Sequence, residues 1–231
     1  MPAISIVILC YRAGEDAVAF VEETYAGFKQ AGVDFELVLV GNYHEGDESD
    51  ATPAVVQRLA EQYPRCVAVA LPKQGMMGWD ARTGLAAATG DVLGFVDGDN
   101  QFPAESILAV YQKLVEEDLD LCKTVRITRH DGVYRRLLSS GYNLVFQVLF
   151  PGGRFRDVNS KPKFVRRGAY ERMRLSSDDW FIDAEMMIEA RRLGLKVGEV
   201  PVVFRANTRP SFVKPAAVWE FVGNLLRARF T

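Results

Sequence analysis

The chain has 231 residues, 48% hydrophobic and 25% charged, the balance of an ordinary globular protein with a sizeable core rather than of a chain disordered throughout. A formal net charge of -2 gives no global basis for binding nucleic acid, which is not an expected partner. Cys10, Cys66 and Cys122 lie in or beside apolar runs without zinc-ligand spacing, so they are expected to be reduced and buried.

In chain order, the β-branched run at 4–9 predicts a buried strand, followed by a polar turn at 12–16. Val18, Val21, Tyr25 and Phe28 recur at helical spacing over 18–30, and Gly32 ends that helix. Strands are then expected at 35–40, 67–71 and 92–96, with helices at 52–63, 79–88 and 103–117 between and after them. Four alternations of strand and helix predict a doubly wound, mostly parallel α/β sheet. Beyond residue 120 the pattern changes. Strands are expected at 120–128, 163–167 and 196–204, one long amphipathic helix or two at 134–150, a helix at 181–193 stopped by Gly194, and an amphipathic helix at 219–230. No repeat or low-complexity linker separates these parts, so a single domain over 1–231 is expected, with 1–118 as a donor-binding half and 119–231 as an acceptor-side half.

The residues 93–103, LGFVDGDNQFP, pose the sharpest chemical question. An apolar run ends in Asp97 and Asp99, two carboxylates that point the same way in an extended segment. One reading is a turn, since Asp97-Gly98 is a strong turn dipeptide. The other is a site for a hard divalent cation, which takes oxygen ligands. The carboxyl ends of strands in such sheets are where ligands bind. A second signal is local charge: thirteen Lys and Arg residues against three acids between Lys123 and Arg174 suit an anionic ligand or an anionic surface.

Several stretches in order resemble the inverting nucleotide-sugar glycosyltransferases of GT-A fold, the large family that includes dolichol-phosphate mannose synthase. They are ISIVILCYRAGED, GMMGWDARTGLAAATGDVLGFVDGDNQFPAESI, KTVRITRHDGVYRRLLSSGYNLVFQVLF, DVNSKPKFVRR, WFIDAEMMIEARRLGLKVGEVPV and TRPSFVK. The resemblance implies a transferase that moves a sugar from a nucleotide-diphosphate donor, with a polyprenyl phosphate as the expected acceptor and a saccharide or lipid hydroxyl as the alternative. A binding module without activity is the rival from another class.

By that resemblance Asp97 and Asp99 hold Mg²⁺ or Mn²⁺ on the donor diphosphate, with Gln101 as a further ligand. Lys73, Arg82, Arg126, Arg136, Arg209 and Lys214 are implied on the donor side, and Ser139, Asn143, Asp157 and Ser160 on the acceptor side. Ser139 and Asn143 are four apart, on one helical face with Arg136. Asp183 is a general base for a hydroxyl acceptor, an orienting group or a helix cap. Asp80 is expected to cap the helix that follows it, while Gly75 and Gly78 serve either a close backbone approach or a helix start that favours an anion.

Two departures from the family pattern stand out. Gly41-Asn42 stands where the family carries an acidic stretch that contacts the base, so Asn42 is expected at a base edge, with Asp47 or Asp50 as the alternatives, and nucleotide identity does not transfer. Lys161-Pro162-Lys163 replaces a glycine-aromatic step, so sugar preference does not transfer. The first apolar run has no basic segment before it and no run approaches the ~20 residues of a membrane span, so neither a signal peptide nor a transmembrane helix is expected. The expected location is cytoplasmic, with a peripheral position on the cytoplasmic face of the membrane left open. The apolar groups of 137–150 and 219–230 beside arginines suit an interfacial segment, a homodimer contact or a membrane partner protein.

Overall fold

The computed structural model describes residues 1–129, 133–152, 155–205 and 217–230. Its elements are β1 (Ile4–Leu9), α1 (Asp16–Gln30), β2 (Phe35–Val40), α2 (Thr52–Gln62), β3 (Cys66–Val69), α3 (Met77–Ala87), β4 (Val92–Asp97) and α4 (Glu105–Glu116). They continue with β5 (Leu121–Arg129), α5 (Val133–Leu149), β6 (Lys163–Arg166), α6 (Arg167–Tyr170), α7 (Ile182–Arg192), β7 (Val197–Phe204) and α8 (Ala217–Phe230).

The strands form one seven-stranded sheet in the order β3-β2-β1-β4-β6-β5-β7. β1 is central and buried along its whole length, which is why it is a continuous apolar run rather than an alternating one. Its residues nevertheless divide by parity. Ile4, Ile6 and Ile8 pack with α1, α2 and α4 on one face. Val7 and Leu9 pack with α3, α7 and Phe146 of α5 on the other. β1 pairs in parallel with both β2 and β4, while the helices that follow β1 and β3 lie on opposite faces. The direction of winding therefore reverses between β1 and β4, and a crevice opens there at the carboxyl ends of the strands. Leu9 pairs with Asp97 at that end, so the first aspartate sits at the mouth of the crevice.

The second half completes the sheet as expected, but with a reversal that periodicity does not encode. β6 is antiparallel to both β4 and β5, so the segment before it arrives at the carboxyl end of β4, beside the crevice. Gly94 makes the close approach of β4 to β6: a Cβ there would lie 1.8 Å from the Lys163 carbonyl oxygen. The region 134–150 is one helix rather than two, and the single turn of α6 follows β6 without a signal in the apolar spacing. None of the three cysteines is in a disulfide; Cys10 and Cys122 are buried and Cys66 is half-buried, with burial pushing Cys66 and Cys122 up to about 12.

Candidate active site

β4 delivers Asp97 at its last residue, and the chain then turns sharply through Gly98. The Gly98 amide donates to the Leu9 carbonyl at 2.9 Å, and Asn100 adopts a left-handed φ of 58°. Asp99 accepts the Gln101 amide at 3.0 Å, which fixes the turn. Turn and carboxylate pair are thus both present: the turn holds the two acids at the crevice. Gln101 is buried and its Nε2 faces the Arg205 carbonyl at 3.4 Å, leaving Oε1 as the atom of this side chain able to ligate a cation.

Two lysines that sequence reasoning noticed only as a departure turn out to organise this centre. Lys161 Nζ lies 2.8 Å from Asp97 Oδ2, 3.3 Å from Asp183 Oδ2 and 3.0 Å from the Met77 sulfur. Lys163 pairs with Asp183 Oδ1 from beneath. Burial pushes the Lys161 ammonium toward its neutral form, but Asp183 and Asp97 outweigh burial and hold its pKa above the ordinary lysine value. Lys163 has Asp183 as its carboxylate partner and a like charge nearby; burial dominates there and lowers its pKa to about 8. The signal for these lysines was the Lys-Pro-Lys replacement itself, since charges placed beside a strand that completes a buried sheet need partners.

Asp183 is buried in the first turn of α7 and makes no cap; both of its oxygens face ammonium groups. Asp97, by contrast, keeps 29% of its side chain exposed and is open to a ligand.

The loop that carries Lys161 is pinned on several sides. Asp157 and Arg126 form a two-pronged pair at 2.6 and 2.7 Å. Burial opposes ionisation of Asp157, yet the hydrogen bonds and charge of Arg126 outweigh it and lower its pKa. Ser160 contacts Thr124 Oγ1 at 2.5 Å, and Asn143 accepts the Val158 amide at 2.8 Å while donating to the Ser139 carbonyl at 2.7 Å. The four expected acceptor-side residues, Ser139, Asn143, Asp157 and Ser160, therefore meet around one loop and hold it. Lys123, fully buried, ties the same loop to β7 through the Asp157 carbonyl and Glu199, both at 2.8 Å.

On the donor side, the structure turns Asn42 away from the expected base contact. It is fully buried; Nδ2 donates to Asp80 at 2.9 Å and Thr83 at 3.0 Å, and Oδ1 accepts the Leu71 amide at 2.9 Å. With both amide hydrogens donated and the side chain fully buried, Asn42 has no donor to offer a base edge. Asp80 is not the expected cap either: it lies inside α3, paired with Lys73, with its pKa raised because burial outweighs that partner. Lys73 Nζ also sits 4.3 Å from the Tyr11 ring centroid. Arg82 pairs with Asp178 and donates to the Ser176 carbonyl at 2.9 Å. Gly75 and Gly78 serve a close backbone approach, not an anion site: the amides of Met76 and Gly78 donate to the carbonyls of Asp178 and Asp179 at 2.7 and 2.9 Å. Arg209 and Lys214 lie outside the described residues, as does the side chain of Arg136.

Residues 5–180 match the family described as glycosyl transferase family 2. The chain belongs to that family. Among curated relatives, the undecaprenyl-phosphate 4-deoxy-4-formamido-L-arabinose transferase of Serratia proteamaculans is 31% identical over 145 residues, 62% of this chain and 43% of that protein. The dolichol-phosphate mannosyltransferase of Pyrococcus furiosus is 26% identical over an alignment of 235 positions, 97% of this chain and 63% of that protein. The chain thus spans less than two thirds of the length of these relatives. The glucosyl-3-phosphoglycerate synthase of Mycobacterium tuberculosis, solved with Mn²⁺, UDP-glucose and phosphoglyceric acid, superposes with a TM-score of 0.73 at 19% identity, covering 99% of this chain and 79% of the other. The fold is the GT-A fold of the glycosyltransferases.

Proposed function

We propose that the protein moves a sugar from a nucleotide-diphosphate donor to a polyprenyl phosphate, with inversion at the anomeric carbon. The donor half follows from family membership and from the carboxylates at the strand crevice. The acceptor class rests on one observation: Asp183, the acid placed to serve as a base, has both oxygens facing Lys163 and Lys161. A hydroxyl acceptor needs a base to take its proton, whereas a phosphate is already ionised and attacks without one. The curated relatives named for polyprenyl phosphates support the same acceptor.

The donor set of Asp97, Asp99 and Gln101 Oε1 is all oxygen, which fits Mg²⁺ or Mn²⁺ completed by substrate phosphates. Such a cation supplies Lewis-acid stabilisation of the departing diphosphate. The pinned loop 157–162 keeps the Lys161 ammonium at the crevice, and the opposite face of the sugar is left to the acceptor phosphate. The exposed apolar side chains of α5 and α8 form the surface that would bring the protein to a lipid-borne acceptor at a membrane.

Transfer of labelled sugar is the test. A thermal-shift panel of UDP-, GDP- and dTDP-sugars with and without Mn²⁺ first identifies the donor, since ligands that bind the folded state raise its apparent stability. That donor is then offered with undecaprenyl phosphate and, separately, with undecaprenol. Product from the phosphate alone, of inverted anomeric configuration, is expected. Product from the alcohol or from a saccharide instead would overturn the acceptor assignment.

A further inference from the structure

The carboxylate that opens the proposed cation site already has a cation on it. Lys161 Nζ is 2.8 Å from Asp97 Oδ2, and its side chain is only 7% exposed, so the ammonium is part of the built site rather than a passing surface charge. Its position is defended by the loop behind it: the Lys161 carbonyl accepts from Thr124 Oγ1 at 2.5 Å, and Ser160, Asp157 and Asn143 fix the residues before it. Asp97, Asp99 and Asp183 against Lys161 and Lys163 leave three negative charges to two positive, a net of -1. A divalent cation added to that cluster alone brings it to +1 and sets two like charges beside one carboxylate. A donor diphosphate arriving with the cation removes the excess positive charge.

We infer that Lys161 is an internal counter-ion that competes with the divalent cation for Asp97, so that the cation is taken up with the donor diphosphate and poorly without it. This rests on the metal-dependent reading proposed above. The competition is between charges within ~4 Å at a partly buried site, where Coulomb terms are several times larger than in bulk water. Coupling of this kind is reciprocal: the diphosphate tightens the cation by the same factor that the cation tightens the diphosphate.

The test is Mn²⁺ titration followed by electron paramagnetic resonance of free Mn²⁺, on the wild type, Lys161→Met and Lys161→Gln, alone and with UDP or GDP. Lys161→Gln keeps a hydrogen-bond donor for Asp97 without the charge, and it carries the comparison if the methionine variant does not fold. In the absence of nucleotide both variants should bind Mn²⁺ about tenfold more tightly than the wild type, and the enhancement by nucleoside diphosphate should fall by a similar factor. A packing role would move the unfolding midpoint but leave the nucleotide enhancement of Mn²⁺ affinity unchanged. Variants matching the wild type without nucleotide would overturn the inference while leaving the metal reading intact. Failure of all three proteins to take up Mn²⁺ with either nucleoside diphosphate would remove the metal reading and this inference together.

Discussion

Arg126 and Asp157 show how a residue legible as a charge in the sequence acquires its role only through a partner far along the chain. With 10% and 6% side-chain exposure, the pair is sheltered from solvent and doubly bonded. Arg126→Ala leaves a buried carboxylate without its main partner and should lower the unfolding free energy by about 3 kcal/mol, read by urea denaturation. The pH dependence has a definite sign. The folded pKa of Asp157 lies below its ordinary 3.8, so the pair's stabilisation is present above that value and is lost as pH falls through the folded value. Asp157→Asn should therefore lose less stability than the wild type between about pH 5 and pH 3, and an unchanged acid limb would count against the pair as its source. The placement of Asp97 and Asp99 at a strand end and its turn was legible because strand end and spacing are local properties. Asn42 and Asp80 were misjudged because their partners decide their roles: Asn42 lies 38 residues from Asp80, and Asp80 seven from Lys73, yet all three converge in one buried cluster. Lys161 and Lys163 were visible as an oddity, but their pairing with Asp183 needed the fold.

The first four strands and the first four helices were legible at the level of elements because apolar period and turn residues encode them directly; their observed boundaries differ from expectation by a few residues. The insertion of antiparallel β6 between β4 and β5 was not, since strand order is set by pairing across tens of residues rather than by any local period. The start of α3 is the same kind of case. Gly75 and Gly78 permitted two readings, and the docking of this turn on 177–179 selects one: a Cβ on Gly78 would lie 2.3 Å from the Ser177 carbonyl oxygen and 2.6 Å from that of Asp179. Gly78→Ala should cost about 2–3 kcal/mol, because the obstacle is backbone and cannot rotate away. Gly27→Ala is the matched comparison. A Cβ there meets nothing within 4 Å, inside α1, so that change should stabilise by about 0.5–1 kcal/mol through helix propensity and a less free unfolded chain. Urea midpoints that moved in the same direction for both would refute this account of the docked turn.

Across the molecule as a whole, both layers of helices are packed against the sheet, yet α5 and α8 keep large apolar groups in water. Leu144 is 66% exposed, Val148 71% and Phe230 79%. α8 is held by Leu225, fully buried, and by Asn224, which donates to Asp179 at 2.9 Å, so its exposed side chains lie on an anchored element. Arg227 and Arg229 stand in its last turn, giving the mixture of apolar and cationic groups that an anionic lipid surface binds. No helix among the described residues is long and apolar enough to cross a membrane, so insertion by a span does not account for these groups. If the acceptor is a lipid phosphate, this face is what carries the crevice to it. The protein should then co-sediment with vesicles of phosphatidylglycerol and phosphatidylcholine, more weakly as salt is raised. Replacing Leu144, Val148 and Phe230 together by serine should weaken that partition by about tenfold or more, since each side chain contributes on the order of 1 kcal/mol when buried in the interface. Turnover of a water-soluble short-chain acceptor should be unaffected, because none of the three side chains belongs to the carboxylate-lysine cluster. A wild type that ignores vesicles and has the mass of a dimer in solution, converted to a monomer by the same substitutions, would assign the face to a second copy of the chain instead.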